Sequence, residues 1–237
     1  MKYVICNLKN RLDRNQSIDY ASKLDHLNKD NIKLIIAPSS VYLDLFYPVE
    51  YSLAAQDITS IKDEVVTGEV TAKQLKTIGV DYVLIGHSER RIYKNEDSNV
   101  LINKIINAQK ENLSIIYCVG ENKEQRDDIK TFEVIEKELF EVLDNVNLDN
   151  IIISYEPIWA IGSGINPENE EIDQVINYIK SIIKDKYNRN IEVIYGGSVN
   201  IDNIEQLNDI SSLEGFIIGS SSLDIKSLEQ MIEIISK

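Results

Sequence analysis

Eight short apolar runs recur along the chain, each followed by a polar loop and then by a stretch with helical periodicity. The runs are continuous rather than alternating in polarity, which is typical of parallel strands covered by helices. We predict strands at Tyr3–Cys6, Leu34–Ala37, Tyr51–Ala55, Tyr82–Ile85, Ser114–Val119, Ile151–Tyr155, Glu192–Tyr195 and Gly215–Ile218. Alternating strands and helices imply an α/β fold with a parallel sheet.

The intervening stretches have apolar residues at helical spacing, most clearly in Ile172–Lys184. We predict helices at Asn99–Lys110, Ile172–Lys184, Thr71–Ile78 and Lys226–Ile235, and a helical stretch at Ser22–Lys29 that contains His26. Its position there makes His26 a packing or capping residue.

Eight strands without a break in composition favour closure into a (β/α)₈ barrel, for which about 250 residues is typical. No linker or low-complexity stretch interrupts the sequence, so we expect residues 1–237 to form a single domain. The alternative is an open doubly wound sheet, whose first strand usually leads into a G-x-G-x-x-G turn. Here the first strand leads into Asn7-Leu8-Lys9, which contains no glycine.

The formal net charge of −14 argues against nucleic acid and anionic membranes as partners. No stretch approaches the roughly 18 apolar residues of a membrane span. The chain has two cysteines, Cys6 and Cys118, both in apolar runs, which indicates reduced packing thiols rather than a disulfide framework. With a strand predicted almost at the first residue, we expect no secretory signal and a cytoplasmic protein.

Active sites of such barrels form at the C-terminal ends of the strands, so the residues after each strand are the most informative. Asn7 and Lys9 follow the first strand and, two residues apart in extended backbone, project to the same face. Lys9 could supply the positive charge that a phosphorylated substrate needs in an acidic protein. A solvated lysine at a strand end is the alternative.

The fourth strand leads into Gly86-His87-Ser88-Glu89-Arg90-Arg91. His87 is placed at a strand-to-helix turn, where free amides and the helix dipole favour a neutral imidazole. Such a ring can donate a hydrogen bond to a carbonyl oxygen and stabilise a developing enolate. A capping or packing histidine is the alternative.

The sixth strand leads into Glu156 and then Pro157-Ile158-Trp159-Ala160-Ile161-Gly162-Ser163-Gly164. An apolar loop is unusual and needs something to cover. We interpret residues 157–164, called the lid below, as a segment that closes over a substrate and excludes water. Glu156, at a rigid strand end beneath it, is the predicted base. A buried loop that only packs is the alternative.

Small residues follow the seventh and eighth strands, at Gly196-Gly197-Ser198-Val199 and Gly219-Ser220-Ser221-Ser222. Barrels of this type commonly bind phosphate there through backbone amides near helix starts. Turns use glycine everywhere, so each segment alone is weak evidence.

Together these segments resemble the triosephosphate isomerase family over almost the whole chain. The resemblance implies that Glu156 abstracts a proton, His87 polarises the substrate carbonyl, and Lys9 with Asn7 contacts substrate charge and oxygen atoms. It also implies a phosphate site at the backbone amides of Gly162, Ser198, Gly219 and Ser220. The implied supporting residues are Ser88 beside the imidazole, Glu89 near Lys9, Tyr195 and Ser198 as a latch for the closed lid, and Ile161 and Ile217 around the base.

The resemblance extends to the family's long third loop, represented here by Gln56, Asp57, Thr67, Gly68 and Glu69. It implies a homodimer in which Thr67 reaches toward the partner's Asn7 and Lys9. Several positions depart from the family: Leu8, Ser163, Ser220, Asp57 and the lid exit Ile165-Asn166-Pro167. Asp57 stands where asparagine is usual, so we expect a partly buried carboxylate that lacks the donor group of asparagine. We also expect a tighter dimer when this group is protonated or replaced in Asp57→Asn.

The predicted function is the interconversion of dihydroxyacetone phosphate and D-glyceraldehyde 3-phosphate through an enediolate, in glycolysis and gluconeogenesis. Proton transfer by one base opposite an electrophile needs no cofactor and no metal. One alternative is a different sugar-phosphate isomerase barrel, which should lack the string around Glu156. A non-catalytic binding role on the same fold is a further alternative.

Overall fold

The computed structural model describes residues 1–27, 30–46, 50–62 and 64–237. Its eight parallel strands close into a barrel in sequence order, with β8 paired to β1. The strands are β1 Lys2–Asn7, β2 Ile32–Ala37, β3 Ser52–Ala55, β4 Val80–Ile85, β5 Ser114–Val119, β6 Ile151–Tyr155, β7 Glu192–Tyr195 and β8 Gly215–Ile218. The predicted (β/α)₈ barrel is confirmed, and the last four strands have the predicted bounds.

Helices connect the strands and cover the outside of the barrel. They are α1 Arg14–Leu24, α2 Ala72–Thr77, α3 Ser88–Lys94, α4 Ser98–Lys110, α5 Lys123–Asp127, α6 Thr131–Leu143, α7 Asn169–Tyr187, α8 Ile204–Asn208 and α9 Ile225–Ile235. Two short 3₁₀ helices, Ser40–Leu45 and Ser220–Leu223, follow β2 and β8. In the part of the chain that the structure describes, no helix is long and apolar enough to cross a membrane.

The helical stretch predicted at Ser22–Lys29 is wrong in its placement. Helix α1 begins earlier, because the Asp13 side chain caps the amide of Gln16 in a reciprocal capping box. It ends at Leu24, where the amide of His26 donates to the carbonyl of Lys23 three residues back and tightens the last turn. His26 therefore lies in a turn, and residues 28 and 29 lie outside the described residues.

The core has two layers, and the inner one supports the site. Inside the barrel, side chains from all eight strands pack together: Ile5, Ile35, Ala37, Ala54, Leu84, Ile116, Ile152, Ile194 and Ile217. A larger layer fills the space between the strands and the helices. Inward and outward side chains alternate along each strand, so residues two positions beyond an inner-layer residue reach the barrel mouth.

Candidate active site

One pocket at the C-terminal mouth of the barrel brings together most of the predicted site residues. It is lined by Asn7, Lys9, His87, Glu156, Ile161, Gly162, Gly196, Gly197, Ser198, Val199, Ile217, Gly219, Ser220 and Ser221. These residues come from the ends of five strands and from the lid. Parallel closure accounts for the convergence, because it places the carboxyl ends of all strands at one edge.

Glu156 and His87 face each other across this pocket. Glu156 is only 3% exposed, and its carboxylate oxygen Oε2 lies 3.4 Å from His87 Nε2. The amide of Glu89 donates to His87 Nδ1 at 3.3 Å. Since an amide N–H can only donate, Nδ1 must present its lone pair, and a neutral ring then carries its hydrogen on Nε2. His87 therefore directs an N–H group into the pocket beside a buried carboxylate.

Close packing surrounds the Glu156 side chain. A Cβ atom on Gly196 would lie 2.5 Å from Glu156 Cγ and 2.3 Å from Ile217 Cγ2, so only glycine fits at this position. Ile217 is buried, and Ile161 of the lid is half-buried on the pocket wall. The side chain of the predicted base is thus confined by Ile217 of β8 and by Gly196, which follows β7.

Lys9 lies at the pocket rim in a strained backbone conformation. Its φ of +50° is left-handed, which costs a residue with a side chain about 1–2 kcal/mol. Gln56 donates to the Lys9 carbonyl at 2.9 Å and to the Ala37 carbonyl at 2.8 Å, and Asn7 Oδ1 accepts from the Lys9 amide at 3.2 Å. These bonds stabilise the strained turn. Strained backbone that its surroundings hold in place is concentrated at functional sites.

The Lys9 side chain pairs with Glu89 across the mouth of the barrel. Lys9 Nζ lies 2.6 Å from Glu89 Oε1. Partial burial opposes ionisation of Glu89, but the hydrogen bond and charge of Lys9 outweigh it and lower the pKa of that carboxyl. Ser88, between Glu89 and His87, is buried as the first residue of α3. The resemblance placed all of these residues near one another, and the structure brings them together.

The lid is anchored at its entrance by a buried carboxylate that the sequence analysis missed. Glu121 is fully buried and accepts from Trp159 Nε1 at 3.1 Å and from the Tyr155 hydroxyl at 3.2 Å. Arg126 lies 3.4 Å from the same carboxylate, and its guanidinium stacks 4.9 Å from the centre of the Trp159 ring. Glu121 directly follows Val119-Gly120 at the end of β5, so the rule used for other strand ends would have found it.

The lid exit contacts the loop after β7 through Asn166. Its Oδ1 atom accepts from the Tyr195 hydroxyl at 2.8 Å and from the Ser198 amide at 2.9 Å, and its Nδ2 atom donates to the Ser198 carbonyl at 3.0 Å. Tyr195 and Ser198 therefore both hold the lid exit, but through a residue to which the sequence analysis gave no role. In this structure the Ser198 amide donates to Asn166, and its use for phosphate stays a prediction.

Three other predicted phosphate contacts line the pocket: Gly162, Gly219 and Ser220. Gly162 has a φ of +67°, which glycine adopts without strain. Ser220 begins the 3₁₀ helix after β8 and is not among the positive-φ residues of the described chain. Serine therefore carries no cost of left-handed backbone at this position.

Asp57 is a partly buried carboxylate, as expected, but two cations of the same chain pair with it. Asp57 lies 2.5 Å from Lys104 Nζ and 2.7 Å from Arg90 of the same chain. Glu96 completes this charge cluster, at 2.6 Å from each of the two cations. Helices α3 and α4 supply the two donors, so the reason given for a tighter dimer on Asp57→Asn no longer holds.

The tip of the third loop is exposed. Thr67 and Gly68 form a turn, in which Gly68 has a φ of +90° and the amide of Glu69 donates to the carbonyl of Val66. Thr67, Gly68 and Glu69 are exposed, and Val65 is fully exposed. Within one protomer, these residues lie outside the pocket described above.

Among the described residues, no group of three or more His, Cys, Asp or Glu side chains is arranged to hold a metal ion.

Comparisons with known proteins agree with this geometry. A family model described as triosephosphate isomerase matches residues 2–235. The chain is 36% identical over 220 residues to the triosephosphate isomerase of Alkaliphilus oremlandii, covering 88% of this chain and 89% of that one. It is 38% identical over 212 residues to that of Mycoplasmopsis agalactiae, with coverage of 86% and 80%. It is 33% identical over 241 aligned positions to that of Mycoplasma genitalium, with coverage of 98% of both. The chain therefore belongs to the triosephosphate isomerase family.

Proposed function

We propose that this chain interconverts dihydroxyacetone phosphate and D-glyceraldehyde 3-phosphate, in glycolysis and gluconeogenesis. The observation that carries the proposal is the buried pair of Glu156 and His87, whose facing atoms are 3.4 Å apart. A base and a hydrogen-bond donor at this separation can contact adjacent atoms of one small substrate. Family membership and the names of the relatives support the same reaction.

In the proposed reaction, a carboxylate oxygen of Glu156 takes a proton from the carbon next to the substrate carbonyl. The electrons of that C–H bond form a C=C bond, and the carbonyl oxygen gains negative charge. His87 Nε2–H donates to this oxygen, and the Lys9 ammonium offsets the charge on substrate and intermediate. The proton of the neighbouring hydroxyl group then passes to this charged oxygen. The oxygen that loses it forms the new carbonyl as Glu156 returns its own proton to the other carbon, which completes the exchange of aldehyde and ketone.

The lid and the small-residue loops have complementary parts in this proposal. The backbone amides of Gly162, Gly219 and Ser220 would hold the substrate phosphate without a cation of their own. Ile161 and Ile217 would exclude water from Glu156. Exclusion of water strengthens the hydrogen bonds to the enediolate and suppresses its side reactions.

The test is turnover with each triose phosphate supplied separately. We expect each to yield the other, and we expect Glu156→Gln to lower kcat about a thousandfold, within the range of general acid–base catalysis. The matched control is Glu170→Gln, an exposed carboxylate in the first turn of α7. Absence of turnover in the wild type, or equal kcat in wild type and Glu156→Gln, would contradict the proposal.

We further propose that the chain acts as a homodimer in the cytoplasm. A groove beside the pocket is lined by residues that include Asn7, Lys9, Gln56, Glu89 and Tyr93, and it can receive a loop with Thr67 at its tip. Val65 on that loop and the exposed Tyr93 and Val41 are apolar surface that such an interface would cover. The described cysteines, Cys6 and Cys118, are buried free thiols, which suits a reducing compartment.

Sedimentation of purified protein at micromolar concentration tests the dimer. We expect a dimer for the wild type and a shift toward monomer for Val65→Asp. Ile129→Asp is the matched control, since Ile129 is 90% exposed and lies before α6, outside the groove. A monomeric wild type, or equal weakening by both substitutions, would contradict the proposed interface.

A further inference from the structure

Ser154 is a buried hydroxyl in an otherwise apolar layer of the barrel interior. It lies on β6 between Ile152, an inner-layer residue, and Glu156, and the period of two directs all three side chains inward. Its neighbours in register are Cys118 on β5 and Ile194 on β7. Ser154 is 0% exposed. A hydroxyl in such surroundings is costly unless a partner accepts its hydrogen.

The partner is the carboxylate of Glu156. Ser154 Oγ donates to Glu156 Oε1 at 3.0 Å, while the other oxygen, Oε2, lies 3.4 Å from His87 Nε2. Oε1 is therefore hydrogen-bonded to a residue of the barrel interior, and Oε2 faces the imidazole. These two contacts define the plane of the carboxylate and the oxygen that faces the pocket.

Packing alone does not set this plane. Gly196 and Ile217 confine the Glu156 side chain around Cγ, but the terminal torsion of a glutamate is broad and roughly two-fold. A hydrogen bond to one carboxylate oxygen restricts that torsion directly. Hydrogen bonds to charged groups are also stronger than those between neutral groups, which favours the orientation in which the Ser154 hydroxyl bonds Oε1.

We propose that Ser154 is a positioning residue for the isomerase reaction. Its hydroxyl holds Oε1, so that Oε2 is the oxygen that takes and returns the substrate proton. Ser154 acts through Glu156 and does not contact substrate. The inference rests on the proposed role of Glu156 as the base.

Two pairs of variants that differ only in the hydroxyl test the inference: wild type against Ser154→Ala, and Ser154→Thr against Ser154→Val. We expect kcat to fall about tenfold in Ser154→Ala, and the Thr variant to keep several times the kcat of the Val variant. KM and inhibition by inorganic phosphate should stay unchanged, because the phosphate loops are untouched. The primary deuterium isotope effect on kcat should rise, as proton transfer becomes slower.

A purely structural role for Ser154 would change thermal stability without raising the isotope effect. The inference fails if Ser154→Ala keeps kcat within twofold of wild type, or if the Thr and Val variants have equal kcat. Those failures leave the proposed function intact when wild type is active and Glu156→Gln is strongly impaired. An inactive wild type would instead overturn the proposed function and this inference together.

Discussion

The Tyr195 hydroxyl donates a 2.8 Å hydrogen bond to Asn166 Oδ1 and so joins the end of β7 to the exit of the lid. The same oxygen accepts from the Ser198 amide, and the Asn166 amide group donates back to the Ser198 carbonyl. One short polar side chain therefore makes three hydrogen bonds to the end of β7 and the loop after it. These bonds hold the lid exit, while the buried carboxylate of Glu121 holds the lid entrance through Trp159.

We predict that Asn166→Ala opens the lid more often. Each lost hydrogen bond is worth about 1 kcal/mol, so the open population should rise at least tenfold. Cleavage after Trp159 by a protease specific for aromatic residues should accelerate by a similar factor, since cleavage follows the open population. Asn169→Ala is the control, because Asn169 donates to the Gln206 carbonyl at 2.8 Å outside the lid. Equal cleavage of wild type and Asn166→Ala would rule out this latch.

We predict that Glu121→Gln weakens both the lid entrance and the fold. Glutamine keeps one acceptor oxygen but turns an NH2 group toward at least one of the donors of Trp159 and Tyr155, and the ion pair with Arg126 would be lost. The free energy of unfolding in urea should fall by about 2 kcal/mol, the scale of a buried hydrogen bond to a charged group.

Trp159 is the only tryptophan, so the tryptophan fluorescence of the folded protein should also change in Glu121→Gln. Glu124→Gln, on the exposed surface of α5, should leave both the stability and the emission at wild-type values. If the buried and the exposed substitution gave the same result, Glu121 would not anchor the lid.

We predict that the Lys9–Glu89 pair makes a small, acid-sensitive contribution to stability. The pKa of Glu89 is lowered in the folded state below its ordinary value of 4.5, because Lys9 outweighs the effect of burial. The folded state therefore binds the proton less readily than the unfolded state. The pair stabilises the fold above about pH 4.5 and loses that effect as the pH falls through the lower, folded-state pKa.

Urea unfolding at pH 7 and pH 3 measures this contribution. The free energy of unfolding should fall less from pH 7 to pH 3 in Glu89→Gln than in wild type. The difference should be under about 1 kcal/mol, because the Glu89 carboxylate is half exposed. Lys9→Met should remove the same increment, and the double variant should remove no more than either alone. A pH dependence identical to wild type in Glu89→Gln would refute the prediction.

We predict that Asp57→Asn changes stability by less than about 1 kcal/mol. Burial raises the pKa of Asp57, and the charges of Lys104 and Arg90 offset this only in part, so its ionised form adds little net stability. Glu96→Gln should cost about 3 kcal/mol, because Glu96 pairs with the same two cations but is more deeply buried than Asp57. Urea unfolding of both variants measures the two losses of stability. A larger loss for Asp57→Asn than for Glu96→Gln would refute the prediction. Sedimentation should show no tighter dimer for Asp57→Asn.

The barrel and the main features of its mouth were predictable because they depend on local pattern. Continuous apolar runs identified all eight strands, and four have the predicted bounds. The position of Glu156 directly after β6 and of His87 at a strand-to-helix turn follows from chain order. The relation of Ser154 to Glu156 was also within reach, since residues two apart on a strand share a face.

What the amino-acid sequence determined by itself is the order of strands and helices, and which chemical groups stand at the strand ends. Only the tertiary structure decided which groups bond to one another. Asn166 meets Tyr195 from 29 residues away, Glu121 meets Trp159 from 38, and Asp57 meets Lys104 from 47. Strand and helix periodicity act over a few residues, whereas a hydrogen bond requires two atoms about 3 Å apart in a specific orientation. That separation depends on the packing of whole elements, which no local pattern records.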